Sequence, residues 1–461
     1  MLSWFSRKIQ MATRKRLKQV PELTVQKRLK SARVPGYNPN VSYKFYYEHK
    51  LHADTPHVIK FSGGRSSGML LVILLENKIL KPERGDVVVF NNTSAEHSAT
   101  YDFVNECKKI TESYGLPFFW IEFQTYETAV RGEWIRKPTY RLVNTEPHSA
   151  ENPDGYKHKG EVFEELLSWQ SYVPNQHRRT CTAMMKVRAT RNFLIDWFAV
   201  KSEIGRCGHY YEKSMVNKDS IEKTHRQNGG KTPIEVLMKK REFLMSCASH
   251  RPAQKFSDFT AAKININNPM LNGREMGGHA FLTGDNAVEY LSFVGFRADE
   301  PHRIKRMIER NKQDDENDVN DGEHLYAPLS EMGVCKQNIR DFWDAQSWGL
   351  DLPYDKNLSN CVYCFLKGSK SLVSIAQNES PQNGDVLTPA NIRWWKDMED
   401  KYGRNLREEK RNMKTETEDS VIGFFGLNST ISYDKIAQRA KSGALIDGDM
   451  DTESLPCDCT D

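Results

Sequence analysis

VIKFSGGRSSGMLL, residues 58–71, is the stretch on which the reading of this chain turns. A short apolar run, Val58 to Phe61, predicts a strand. It enters Ser62, Gly63, Gly64, Arg65, Ser66, Ser67 and Gly68, and an apolar helical run follows from Met69. Two adjacent glycines let the backbone curl without Cβ obstruction and expose several N–H groups. A helix N-terminus behind them favours an anion. Ser62, Ser66 and Ser67 add hydroxyl donors. The turn therefore reads as a phosphate cradle. It lacks the glycine spacing and the Lys-Ser/Thr ending of a Walker A loop.

Working outward, Asp86 to Phe90 predicts a buried strand that ends in the polar turn Asn91-Asn92-Thr93, and Glu96 opens a helix carrying Tyr101, Val104 and Cys107. Leu116 to Phe123 predicts a third strand. Strand, helix, strand, helix, strand is the signature of a parallel sheet with crossover helices. The expected fold class is α/β: a parallel twisted sheet with helices on both faces. Ligands of such sheets bind beyond the carboxyl ends of the strands, where both FSGG and FNNTSAEH fall. Asn92, Thr93 and Glu96 join residues 62–68 as nucleotide-binding candidates.

The loop resembles the PP-loop of the ATP-pyrophosphatase superfamily, usually SGGxDS, with Ser66 where that family commonly has Asp. In order along the chain, FSGGRSSGML, VVVFNNTSAEHSATYDFVNEC, FFWIEF, RRTCTAMMK, VGFRADEPHRIKRM, APLSEMGVCKQNIRDFWDAQSWGLDLP and NLSNCVYCFLKG are similar to the phosphoadenosine phosphosulfate (PAPS) reductase branch. The similarity is to the form found in phage and mobile-element proteins. It runs from about Val58 to Glu399, interrupted between about Lys201 and Gly278. The resemblance implies an adenine nucleotide alpha hydrolase-like fold that binds ATP or PAPS, with Mg²⁺ as counter-ion.

After a predicted strand, Tyr290 to Val294, comes Gly295-Phe296-Arg297-Ala298-Asp299-Glu300-Pro301-His302-Arg303. Arginine suits two-pronged contact with phosphate or sulfate oxygens. In the resembled family such a segment faces the nucleotide, which makes Arg297, Asp299 and Arg303 catalytic candidates. Asp299 would orient an arginine or a metal-bound water. His177, Arg178 and Arg179 are further anion contacts.

Nine cysteines without a secretory signal point to a reducing compartment rather than a disulfide framework. Cys107, Cys247 and Cys335 lie in helical apolar patterns and read as small core residues. Cys361 and Cys364 form a Cys-x-x-Cys, a spacing that serves zinc, an iron–sulfur cluster or a redox dithiol alike. Cys181 follows the basic run His177-Arg178-Arg179 at a predicted helix start. PP-loop enzymes that move sulfur hold a [4Fe–4S] cluster by three cysteines, so the resemblance implies Cys181, Cys361 and Cys364 as metal ligands, with zinc as the alternative. Cys207 is a candidate fourth ligand. Cys457 and Cys459 sit on an acidic terminal segment and are candidates for a catalytic sulfur shuttle. The terminal signature of the assimilatory reductases, Glu-Cys-Gly followed by an apolar residue and His, is missing there.

A chain of 461 residues can bury a sizeable core; 38% hydrophobic and 28% charged residues imply solvated additions around it. The division expected is a basic arm (1–50), the first part of the core (51–200), an insertion (201–278), the second part with the Cys-x-x-Cys (279–405) and a polar, acidic tail (406–461). The arm's composition serves a solubilising segment, a nucleic-acid contact or an organelle presequence. Residues 311–321 read as an acidic loop. No apolar run approaches a membrane span, so the expectation is a cytoplasmic protein of a bacterium or a phage-infected host.

The resemblance implies an enzyme. In the first form, ATP adenylylates an acceptor oxygen and sulfur then displaces the adenylate, with a small molecule or nucleic acid as acceptor. The sulfur donor is a cysteine desulfurase or a thioredoxin-like protein. The second form is PAPS reduction to sulfite. The third is a nucleotide-binding scaffold without catalysis.

Overall fold

The computed structural model describes residues 54–130, 133–198, 289–316, 322–378, 388–405, 421–427 and 429–443, with a few short stretches outside them. Six strands form the main sheet: β1 (His57–Phe61), β2 (Val87–Asn92), β3 (Phe118–Val130), β4 (Glu133–Val143), β5 (Tyr290–Phe293) and β6 (Glu323–Tyr326). Their order is β4-β3-β2-β1-β5-β6. Val58 pairs with Val87, Val88 with Phe118, His57 with Leu291 and Tyr290 with Glu323, all parallel. Only the β3–β4 pair is antiparallel, a long hairpin at one edge. The parallel α/β sheet expected from the strand pattern is therefore present, with an antiparallel edge added.

Strand alternation sorts the core into two layers. Ile59, Phe61, Val88 and Phe90 face one side, with α1 (Arg65–Glu76) and α2 (Ser98–Ser113). Val58, Val87, Val89, Phe119 and Ile121 face the other, against Phe193, Leu194 and Trp197 of α4 (Ala189–Trp197). Between α3 (Glu161–Gln170) and α4 the chain makes a π-helical turn, Cys181–Arg188. Beyond the sheet come α5 (Pro301–Glu316), α6 (Lys336–Asp344), α7 (Ser369–Asn378), α8 (Ile392–Tyr402) and α9 (Tyr433–Ser442). α9 packs on α7 and α8.

Several boundaries differ from the sequence reading. α1 begins at Arg65, not Met69, because Gly68 N–H already bonds the Gly64 carbonyl at 3.0 Å. α2 begins at Ser98, and the His97 ring, not Glu96, accepts the Ala99 N–H. β3 runs on to Val130 because β4 pairs along its whole length. The first half of the expected acidic loop is the end of α5, whose Asn311 side chain bonds both backbone groups of Leu325 at 3.0 and 3.3 Å. Cys335 is not a core residue: it caps α6 in a reciprocal arrangement with Asn338. Cys107 is buried as expected, and burial pushes its thiol well above the ordinary range. Most of the insertion, most of the basic arm, residues 406–420 and 444–461 of the expected tail, and Cys207, Cys247, Cys457 and Cys459 lie outside the described residues. The rest of the expected tail is not a solvated appendage: Phe424, Tyr433 and Ile436 are buried and α9 packs on the core. No helix among the described residues is long and apolar enough to cross a membrane.

Candidate functional site

The sheet order turns back at β1, whose neighbours β2 and β5 lead away on opposite sides. A crevice opens at the carboxyl ends of strands at such a switch. Here the crevice holds Ser62-Gly63-Gly64. Gly63 has φ +78°, and a Cβ on it would stand 2.9 Å from Thr100 Cγ2 of α2. Glycine is thus required by the turn and by the helix packed beneath it. The Ser67 hydroxyl donates to the Gly64 carbonyl at 2.9 Å and lies 2.9 Å from Ser62 Oγ. Ser66 and Ser67 are buried within the first turn of α1. Gly68 sits inside that helix, where a Cβ would strike Phe103 and Trp343 at 2.6 and 2.8 Å. Its smallness therefore serves packing, and its N–H is already bonded.

Gly295 lets the chain after β5 cross this first turn, since a Cβ there would meet the Ser67 backbone nitrogen at 3.0 Å. The crossing delivers Arg297, whose Nη1 donates to Ser66 Oγ at 3.1 Å. Asp299 Oδ1 accepts from Arg297 Nε at 3.0 Å, and Oδ2 accepts from the Lys336 N–H at 3.2 Å. Arg303, buried, pairs with Glu300 at 3.0 Å and lies 5.4 Å from the centre of the Phe296 ring. The two arginines are parted: Arg303 lines a cavity of about 320 Å³, Arg297 a second one of about 410 Å³.

The first cavity joins Phe61 and Ser62 at the end of β1, Asn91 of β2 and Val294 after β5. Among the described residues that line it are five cations, Lys60, Lys186, Arg303, Arg306 and Arg310, and no carboxylate. Behind the wall, buried Glu323 of β6 grips both Lys60 and Arg310, the latter at 2.8 Å. Burial by itself would raise the Glu323 carboxyl, yet the two cations outweigh it and hold the group down to about 2. Asn91 Nδ2 donates to Thr190 Oγ1 at 2.8 Å, while its Oδ1 has no hydrogen-bond partner among the described residues.

Asn92, the neighbour named in the sequence reading, points elsewhere. Its amide donates to Glu122 Oε1 at 2.8 Å and to the Lys157 carbonyl at 2.7 Å, and its oxygen accepts from Ser94 N–H at 2.8 Å. Burial raises the Glu122 carboxyl despite Arg141 at 3.2 Å, and it lowers the Lys157 ammonium despite the nearby carboxylate of Glu165. Asn92 thus anchors the strand end. Glu96 turns into its own loop, accepting from Thr93 Oγ1 at 2.6 Å and Ala95 N–H at 3.1 Å.

Thr93 Oγ1 lies 3.4 Å from Cys361 Sγ, and residues 96 and 361 form a backbone bridge. The Cys-x-x-Cys loop is therefore brought to the end of β2. Cys181, Cys361 and Cys364 line one small cavity of about 20 Å³ together with Thr93 and Trp395. Lys367, buried, props the loop by donating to the Val362 and Ser359 carbonyls at 2.9 and 3.1 Å. The Tyr433 hydroxyl donates to the Tyr363 carbonyl. Burial, then the nearby thiols and Glu399, push that hydroxyl well above its ordinary value, so it stays a donor. As placed, the described side chains form no group of three or more His, Cys, Asp or Glu able to hold a metal ion. His177, Arg178 and Arg179 lie in the turn before Cys181; none of them lines either cavity.

The sequence reading missed Lys60, Asn91, Lys186, Arg306 and Arg310. For two of them a signal existed: Arg303, Arg306 and Arg310 recur at i, i+3 and i+7, which sets them on one helical face. Compared with known proteins, the chain matches no family model, no curated protein and no solved structure.

Proposed function

We propose that the chain is a PP-loop enzyme of the PAPS reductase-like branch, binding an adenine nucleotide in the first cavity and using it in sulfur transfer. The observation that carries this reading is a shared wall. Thr182 and Lys186 line both the cation-rich cavity beside the glycine turn and the small cavity of the three cysteines. A nucleotide and a sulfur centre held there would be separated by one helical turn. That favours adenylylation of an acceptor followed by sulfur insertion.

Each part has a role that its own chemistry supports. The Ser62-Gly63-Gly64 turn and the N–H groups of the first turn of α1, which have no intrahelical acceptor, hold phosphate oxygens. Asn91 Oδ1 accepts from the adenine amino group. Arg303 and Arg306 offset charge that builds on phosphorus, and being fixed in advance they do so without reorganisation. Cys181, Cys361 and Cys364 are the residues that would hold an iron–sulfur cluster. Three thiols without a carboxylate suit it in kind, and bound with three protein ligands it supplies an iron open to sulfide.

The test is the anaerobically purified full chain, read for visible absorption and for pyrophosphate release from ATP. The expected wild type is brown and releases pyrophosphate. Arg303→Ala keeps the colour and loses about 100-fold in release, the scale for one oriented charge-stabilising donor. Cys361→Ser loses the iron. A colourless protein after iron and sulfide reconstitution, inert toward ATP, would sink the reading. Sulfite made from PAPS, and stopped by deleting residues 456–461, would replace it with reduction.

A further inference from the structure

α5 presents two faces. Arg303, Arg306 and Arg310 line the first cavity. On another side Pro301, Ile304 and Ile308, spaced i, i+3 and i+7, form an apolar stripe. With Ala298 and Ser330 the stripe lines an open groove of about 430 Å³. Ile308 is 44% exposed there, one of the few large apolar side chains left to solvent among the described residues. We infer that this groove is the seat of the N-terminal arm, which fills it with the aromatic run Tyr43-Lys44-Phe45-Tyr46-Tyr47.

Contact, reach and composition choose this occupant. The short helix Pro328–Glu331, whose Ser330 lines the groove, touches the two-residue strand Lys44–Phe45. That strand pairs antiparallel with Leu23–Thr24, so the arm doubles back beside the groove. The chain is also long enough to arrive there. The Pro56 carbonyl accepts the Leu291 N–H at 2.8 Å, which fixes the entry to β1 at the amino end of the sheet. The groove lies toward the carboxyl end, where Ala298 follows the crevice residue Arg297. Residues 46–55 extend to about 35 Å at most, well beyond the roughly 17 Å length of the five-residue β1. Composition agrees: residues 1–35 carry ten Lys or Arg and one Glu, whereas residues 43–47 hold four aromatic side chains. An aromatic side chain buries about 150–250 Å². Alternate positions of an extended segment share a face, so Tyr43, Phe45 and Tyr47 together suit an apolar stripe. Seated in this way, the arm holds its basic residues beside the crevice.

Limited proteolysis of the full chain tests this. Chymotrypsin cuts after Tyr46 and Tyr47, and a matching peptide of residues 38–52 gives the rate for an unprotected site. Cleavage of a docked segment tracks how often it leaves its seat. With each rate divided by that of its peptide, the wild type should be cut at least about 10-fold more slowly than Ile308→Ser. Ile308 is exposed, so this variant should keep its melting temperature. Phe45→Ser, which leaves the sheet and its helices untouched, should release the segment to the same extent. The double variant should be cut no faster than the quicker single one, because residues in contact do not act independently. Equal rates in the wild type and both single variants would overturn the seat, and so would additive effects in the double variant. A wild-type dimer that Ile308→Ser turns into a monomer, with cleavage unchanged, would overturn it too and give the groove to a second copy of the chain.

Discussion

Gly63 answers two demands at once. Its φ of +78° is costly for an L side chain, and Thr100 leaves no room for a Cβ. Gly63→Ala should therefore cost about 1–3 kcal/mol of stability as well as any ligand affinity. Urea denaturation checks it, and a variant as stable as the wild type would show that the turn relaxes freely. The same fact rules out Gly63→Val as a clean test of binding, since the fold itself is strained. Ser62→Ala is the cleaner probe of the cradle: it leaves the backbone alone and removes one hydroxyl from the cavity wall.

At the scale of elements, Glu323 links three of them. From β6 it holds Lys60 of β1 and Arg310 of α5, so one buried carboxylate orients two cations of the first cavity. Its folded pKa of about 2 lies below the ordinary value of 4.5. Stability from this group is therefore present above pH 4.5 and lost as pH falls through 2. Glu323→Gln should destabilise by about 3 kcal/mol at pH 7, because two cations lose a buried partner. The gap from wild type should shrink at pH 3. Denaturant titrations at both pH values measure it, and a gap that does not change with pH would contradict the assignment.

At the scale of the whole molecule, the C-terminal unit is tied to the thiol site. Glu399 of α8 accepts the Phe424 and Tyr433 N–H groups at 3.0 Å each, and Tyr433 reaches the Cys-x-x-Cys loop. Burial raises the Glu399 carboxyl to about 7, against the two N–H bonds. The folded state thus keeps a proton that the unfolded state gives up above pH 4.5. That contribution is fully present below pH 4.5 and lost as pH rises through 7. Between pH 5 and 8 the wild type should lose up to about 3 kcal/mol more stability than Glu399→Gln. Parallel slopes for the two proteins in that range would refute it.

Some of this was legible in the sequence because the physics is local. Short, nearly continuous apolar runs at 58–61 and 87–90, the double glycine and the crossover lengths sufficed for a parallel α/β sheet with the turn at a strand end, and a Cys-x-x-Cys is a short-range spacing. The antiparallel edge was not legible, since whether residues 133–143 pair with β3 depends on what else covers that edge. Nor was the start of α1, where the first intrahelical bond outweighs the glycine's preference for a turn. Only the tertiary structure decided that Asn91 rather than Asn92 lines the cavity, because one residue's shift along a strand reverses its face. Only it parted Arg297 from Arg303, although they are just six positions apart in the chain. It also brought Cys181 to the wall shared with Cys361 and Cys364, 180 positions on, because contacts between distant segments are set by packing and leave no local trace.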